Sequence, residues 1–261
     1  MAGFTEVDVV RFDPDGARST TDRVATEAPL EIRLGTTPIA VLMRTPGQEL
    51  ELATGFCLTE GILLAPEELE RVERLDGDRY RIHLADGVEV DPEQFRRNTY
   101  TTSSCGVCGK ASIDAVRIAA RPLPPGPTVD GRRIPRLIER LRRTQEIFDV
   151  TGGLHGAALL LPDGTVVASA EDVGRHNAVD KAIGAYARQV WPLGEVILVV
   201  SGRISFEIAQ KAAVAGVPMV VGVSAGSSLA IDLAREVGMT LAGFVRTGSF
   251  VVYAGAHRIV G

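Results

Sequence analysis

The stretch "EVILVVSGRISFEIAQKAAVAGVPMVVGVSAGSSLAIDLA" (Glu195–Ala234) decides the fold class. "EVILVV" and "PMVVGV" are apolar throughout, as strands are when a sheet is covered on both faces. Each runs into a turn of Ser, Gly and other small residues and then into a helical pattern. The two halves, "LVVSGRISFEIAQKA" and "VVGVSAGSSLAIDLA", resemble each other, with Ser201 matching Ser224 and Ser205 matching Ser228. Repeated strand–turn–helix units predict an α/β fold. Ligands of open α/β sheets bind where such turns line up at one sheet edge. Backbone N–H groups and hydroxyls at a helix start attract anions, and Arg203 adds a cation that an anion would neutralise. Ser201, Gly202, Arg203 and Ser224 are therefore candidate phosphate ligands. The alternative is that the serines are ordinary helix caps.

Upstream, "GAALLLPDGTVVASA" predicts two strands around a Pro-Asp-Gly turn. "EDVGRHNAVDKAIGAYARQV" predicts a helix with Ala178, Val179, Ala182, Ile183 and Tyr186 inward and Asp172 as its N-cap. His155, Arg175 and His176 all fall at element termini, where loops carry function, and are expected to share a site. Asp172 and Glu207 are carboxylates able to accept hydrogen bonds from a ligand. Further back, "IPRLIERLRRTQEIF" predicts one amphipathic helix with Ile134, Leu137, Ile138, Leu141 and Phe148 on its apolar face. Six arginines lie between Arg132 and Arg143 against one acid, Glu139. They form either a solvated face or a docking surface for an acidic partner or phosphates.

The first hundred residues read as β-rich. "EVDVVRF" alternates, "PIAVLMR" is a short apolar run, and "RYRIHLADGVEV" predicts a hairpin turning at Asp86-Gly87. "GQELELATGFCLTEGIL" predicts a helix burying Leu50, Ala53, Cys57 and Leu58, with Cys57 in the core. The expected organisation is a smaller β-rich domain over 1–100 and a larger α/β domain over 101–261.

The chain has 261 residues, 45% hydrophobic and 23% charged, with 5% aromatics and a net charge of −5. That composition is globular and gives no electrostatic reason to bind nucleic acid. No basic n-region precedes an apolar h-region, and no apolar run reaches membrane-spanning length, so a cytoplasmic protein without membrane association is expected. In that compartment three cysteines do not make a disulfide framework. Cys105 and Cys108, in "TTSSCGVCGK" (101–110), therefore suggest chemistry. Structural zinc needs four ligands, a c-type haem needs CxxCH, and a thioredoxin pair usually opens a helix. A Gly-flanked polar loop with Lys110 nearby suits a thiolate, either in a redox pair or as a persulfide carrier. The residues alone leave both open.

Taken together, "TTSSCGVCGK", "TGGLHGAAL", "EDVGRHNAVDKAIG", "SGRISFEIAQKA", "VSAGSSLAIDLA" and "GMTLAGFVR" closely resemble the FdhD family of formate dehydrogenase accessory proteins, from about Glu27 to the C-terminus. The resemblance implies a sulfur carrier. It would accept sulfur from a cysteine desulfurase as a persulfide on Cys105, with Cys108 beside it, and pass it to the molybdenum bis(molybdopterin guanine dinucleotide) cofactor of formate dehydrogenase. It further implies a cofactor segment over Phe244, Val245, Arg246, Thr247, Gly248 and Ser249, a guanine whose edge Asp172 or Glu207 could accept from, GDP as a surrogate ligand, a homodimer, and a three-layer domain resembling cytidine deaminases. The deaminase zinc pattern is not met, because Ala157 stands where H-x-E needs Glu and the CxxC precedes His155. No structural metal is therefore expected. A rival class is a cofactor-binding chaperone that transfers no sulfur.

Overall fold

A computed structural model describes residues 3–95 and 122–261. The expected domain boundary at residue 100, and the CxxC loop with Cys105 and Cys108, lie outside the described residues.

The N-terminal part opens with a hairpin of β1 (Phe4–Asp13) and β2 (Gly16–Ala25), a two-stranded sheet of its own. Next come β3 (Ala28–Leu34), β4 (Thr37–Arg44), α1 (Glu49–Thr59), β5 (Leu69–Arg74) and β6 (Arg79–Leu84), forming a sheet of order β4-β3-β6-β5. Helix α1 covers it, with Ala53, Cys57 and Leu58 fully buried beside Leu30, Ile32 and Ile82. Leu50, expected on the buried face, is half exposed at the first turn. The turn at Asp86-Gly87 forms, closed by Val88 N–H to Ala85 O at 3.1 Å, but no returning strand follows it. Both edges of β6 are already taken by β3 and β5, which leaves a hairpin partner no place to pair.

The larger part holds β7 (Val129–Asp130), α2 (Ile134–Arg142), α3 (Glu146–Thr151), β8 (His155–Leu160), β9 (Val166–Asp172), α4 (Arg175–Ala187), β10 (Ile197–Val200), α5 (Phe206–Val214), β11 (Met219–Gly222), α6 (Ser228–Val237), β12 (Thr240–Arg246), β13 (Ser249–Ala254) and β14 (Ile259–Val260). Its main sheet has the order β13-β12-β11-β10-β8-β9, with β10, β11 and β12 parallel. Side chains alternate along each strand. Leu198, Val200 and Val220 face α4, α5 and α6, whereas Ile197, Val199, Met219 and Val221 face α2. The mixed three-layer α/β architecture is thus the one expected. Each fully buried aliphatic side chain contributes about 1.5–3 kcal/mol, which is why the two apolar strands at its centre dictate the arrangement.

The single helix expected over 134–148 is two. Thr144 turns its hydroxyl back to Leu141 O at 2.8 Å, and Gln145 leaves helical geometry. A new helix then starts under a remote cap, because Glu171 accepts from Ile147 N–H at 2.9 Å and Phe148 N–H at 2.8 Å. Phe148 therefore lies on α3, while Ile134, Leu137 and Leu141 stay buried on α2.

The two parts are joined where α1 crosses α4. A Cβ on Gly55 would overlap the Asp180 carbonyl, and one on Gly184 would overlap that of Glu51. Only glycine lets the backbones approach this closely. Buried polar staples cross the same junction. Lys181 Nζ reaches Asp172 at 2.8 Å and Thr45 O at 2.9 Å. Lys211 Nζ reaches Asp180, Glu60 and Thr59, each at 2.9 Å. Among the described residues no helix is long and apolar enough to cross a membrane.

Candidate functional site at the strand ends

Strand register collects the expected polar residues at one edge of the main sheet. His155 pairs with Asp172 across β8 and β9. Ser201 follows β10 and exchanges bonds with Gly156, its N–H reaching Gly156 O at 3.0 Å and its hydroxyl accepting Gly156 N–H at 2.8 Å. Val200 pairs with Gly222 and Ile204 with Gly226, so Ser205 stands opposite Ser227 and Ser201 opposite Val223. The sequence match of Ser201 with Ser224 and Ser205 with Ser228 is therefore one residue out. Side-chain direction is set by this pairing and not by local similarity.

The serines divide in role. Ser227 caps α6 by accepting from Ala230 N–H at 3.4 Å. Ser205 precedes α5 but makes no side-chain cap. Its hydroxyl instead donates to Glu207 Oε2 at 3.2 Å, and His176 Nε2 meets the same oxygen at 3.0 Å. Burial pushes Glu207 up, but the hydrogen bond from His176, its charge and the Ser205 hydroxyl outweigh it and hold the carboxyl below its ordinary value. This is not a nucleophile–base relay. One His176 nitrogen serves both neighbours, and Ser205 spends its proton on the acid.

Asp172 is not at the helix N-cap, which is Gly174, and it has no access to solvent. Its carboxylate is fully buried and receives Thr45 N–H at 3.1 Å, Gly174 N–H at 2.8 Å, Asn177 Nδ2 at 3.0 Å and Lys181 Nζ. With both oxygens committed to the junction, the guanine-reading role considered for Asp172 fails.

The cations are left differently. Arg175 opens α4 and Arg203 lies exposed in the turn after β10. Arg175 Nε is buried without a hydrogen-bond partner. Among the described residues no carboxylate pairs with either arginine, although acids elsewhere are routinely matched. Half-buried His155 sits within their field. Burial first, then Arg175 and His176, with Arg203 a smaller contributor, lower its pKa against the pull of Asp172, so the ring is neutral at pH 7.

The third wall is the segment over Phe244 to Ser249. Gly243 lies so close to β11's continuation that a Cβ would come 2.6 Å from Ser224 O. The next residue, Phe244, takes φ 49, donates its N–H to Ser224 O at 3.1 Å, and is 45% exposed. A bulky residue in the left-handed region is strained, and such strain and bulges gather at functional sites. Val245 faces the α2 core, which removes its side chain from the candidate ligand set. Arg246 binds back to Val223 O at 2.6 Å and Val245 O at 2.9 Å. Thr247, Gly248 and Ser249 are exposed at the β12–β13 turn.

Beside this edge, on the α2 face, a cavity of about 830 Å³ is lined by Ile138, Arg143, Gln145, Phe148, His155 and Ser201 among others. Gln145 packs against Gly156, and its Nε2 is buried without an acceptor. Nothing in the spacing of "RRTQEIF" marks Gln145. It was missed because only the unforeseen break between α2 and α3 turns it inward.

A sheet with helices on both faces and, at the ends of its strands, arginines that no described carboxylate pairs with defines an α/β protein with a cationic strand-end edge. The chain belongs to the FdhD/NarQ family, whose family model matches residues 25–260. A sulfur carrier protein FdhD from Streptomyces coelicolor is 50% identical, covering 94% of this chain and 92% of the relative. Its counterpart from Mycobacterium tuberculosis is 47% identical over 91% and 92%. A solved structure from Desulfotalea psychrophila, assigned provisionally as a formate dehydrogenase accessory protein, superposes with a TM-score of 0.78. It covers 98% of this chain and 99% of that one at 22% identity, so it attests the fold.

Proposed function

We propose that this protein is a sulfur carrier for formate dehydrogenase maturation, acting in the cytoplasm as a homodimer. It takes persulfide sulfur from a cysteine desulfurase and passes it to the molybdenum bis(molybdopterin guanine dinucleotide) cofactor, its acceptor substrate. Family membership and the naming of relatives near 50% identity support the carrier role. In the first step the Cys105 thiolate attacks the outer sulfur of the desulfurase persulfide. One S–S bond forms, another breaks, and the desulfurase cysteine leaves as thiolate. Cys108 is the neighbouring thiol.

The observation that carries the acceptor reading is the pair of cations without carboxylates, Arg175 with its orphaned Nε and Arg203 in the open turn. Diphosphate oxygens would supply the missing acceptors, aided by the uncapped start of α5. The exposed ring of Phe244 offers a face on which a base can stack. Neutral His155 can donate or accept there, while Ser201, Gly202, Ser224 and the 246–249 turn shape the rim. Glu207 remains the acidic candidate for guanine, in competition with His176 and Ser205.

Two measurements test this reading. Incubation with a desulfurase and cysteine should add one sulfur atom to Cys105, seen by mass spectrometry, and Cys105→Ala should abolish maturation. Full maturation by that variant would leave the chaperone role in place of the carrier. Calorimetry should show GDP binding more tightly than ADP, Arg203→Ala weakening GDP by roughly 1.5–3 kcal/mol, and Glu207→Gln eroding the guanine preference. Unchanged GDP affinity in the Arg203 variant would remove the diphosphate site.

A further inference from the structure

Helix α2 carries two unlike faces. Ile134, Leu137 and Leu141 are buried against the sheet. Arg133, Arg136, Arg140 and Arg143 follow at spacings of three and four, so they lie in one row along the flank of the helix beside the buried face, and all four are exposed. Where the fold neutralises arginines nearby it supplies an acid: Asp130 holds Arg132 at 2.6 Å, and Asp149 holds Arg142. Among the described residues no carboxylate pairs with the four in the row. Arg140 and Arg143 suit the negative end of the helix dipole, but the first half of the row does not. Like charges three and four apart repel, Arg133 stands at the positive end of the helix dipole, and no acid occupies the first turn.

We infer that this row is a docking surface for a short, carboxylate-rich segment of a partner protein. Guanidinium forks pair with carboxylates in two parallel hydrogen bonds and are less strongly hydrated than ammonium groups. The row spans about 15 Å at 1.5 Å per residue, the length of about five extended residues. Exposed Glu139 lies between its members in sequence, exposed Glu146 follows three residues after it, and the whole chain carries a charge of −5. A long polyanion such as nucleic acid would run from the row onto these repelling acids, whereas a short acidic segment would not. The row also leads somewhere. Arg143 lines the same cavity as His155 and Ser201, together with Glu139 and Arg142, so the end of the row adjoins the strand-end site. This inference goes beyond the carrier reading and does not depend on it.

The test is fluorescence anisotropy of the full chain with a labelled short peptide rich in Asp and Glu. The expected result is binding at low salt that fades as salt rises, and no binding of the same peptide with Gln and Asn in place of the acids. Arg136→Gln with Arg140→Gln should weaken it by roughly tenfold or more. A control pair on other surfaces, Arg18→Gln with Arg235→Gln, should leave it unchanged. Circular dichroism checks that the variants fold, and Arg140→Gln alone gives the same reading if the pair does not. Absence of binding to the unmodified chain at low salt overturns the proposal, as does an unaffected double variant. Tighter binding of a single-stranded oligonucleotide of equal charge, lost in the same double variant, overturns it in favour of a phosphate-binding face.

Discussion

His155 gathers the electrostatics of the strand ends into one observable. Its pKa is lowered by burial and by Arg175, His176 and Arg203. The unfolded chain therefore binds that proton more readily than the folded one. Its contribution to stability is present above the ordinary imidazole pKa and is lost as pH falls from there through the lowered value. A bound diphosphate neutralises the same cations and should move the titration upward. Following the imidazole resonances by NMR with and without inorganic diphosphate measures this, and an unmoved midpoint would place the anion elsewhere. Cys57 is the opposite case, a thiol fully buried in the N-terminal core and pushed up chiefly by burial, with Asp180 and Glu60 adding to it. It should resist alkylation in the native state, and Cys57→Ala should cost about 1 kcal/mol in a urea titration as a small buried truncation. Cys57 was legible as core from spacing alone. Asp172 was not, because its four donors come from Thr45, Gly174, Asn177 and Lys181, and the first is remote in sequence.

At the scale of elements, the α1–α4 crossing makes the sharpest demand. Gly55→Ala or Gly184→Ala places a methyl inside a backbone carbonyl's radius, and backbone cannot swing aside as a long side chain can. Each should destabilise by about 3 kcal/mol or more, at the upper end of overpacking costs, read from the urea midpoint. A loss below about 0.5 kcal/mol, ordinary for surface changes, would mean that the helices separate easily. What the sequence showed about elements follows burial. β10 and β11 were legible because they are apolar on both faces, and the β8–β9 hairpin and α4 because apolar runs flank a Pro-Asp-Gly turn or recur at helical spacing. β2 was not, since "GARSTTDRVA" is exposed along nearly its whole length and pairs only with β1. The second strand expected after Gly87 failed for a related reason: alternation in "GVEV" is a local property, whereas a free edge to pair with is a global one. The α2–α3 break depends on Glu171, which the chain delivers from β9.

For the molecule as a whole, the charges inside the junction matter more than those outside. Burial alone would push Lys211 down, but Asp180 and Glu60 carry it above its ordinary value. Its contribution to stability is complete below the ordinary lysine pKa and is lost as pH rises through the elevated one. Lys211→Met would leave Asp180 buried and unpaired at a cost of about 3–5 kcal/mol. Adding Asp180→Asn should recover part of that loss, and a double-mutant cycle in urea measures the coupling. The shared location of the candidate residues was legible in outline. His155, Arg175, His176, Ser201, Arg203 and Phe244 do share one edge, because register brings separated turns together at the ends of neighbouring strands. The exceptions, Asp172 and Val245, turn inward to serve packing.

The β1–β2 hairpin has a consequence for handling the protein. It is a sheet by itself, its tip at Pro14–Gly16 is exposed, and Phe12 near that tip is 79% exposed. Isolated two-stranded ribbons are marginal in water. A protease at low dose should therefore cut at this tip before it reaches α1 or the main sheet, and the large fragment should keep both glycine-tight helices and the arginine row of α2. Trimmed material would then crystallise or concentrate without a sticky aromatic at its surface.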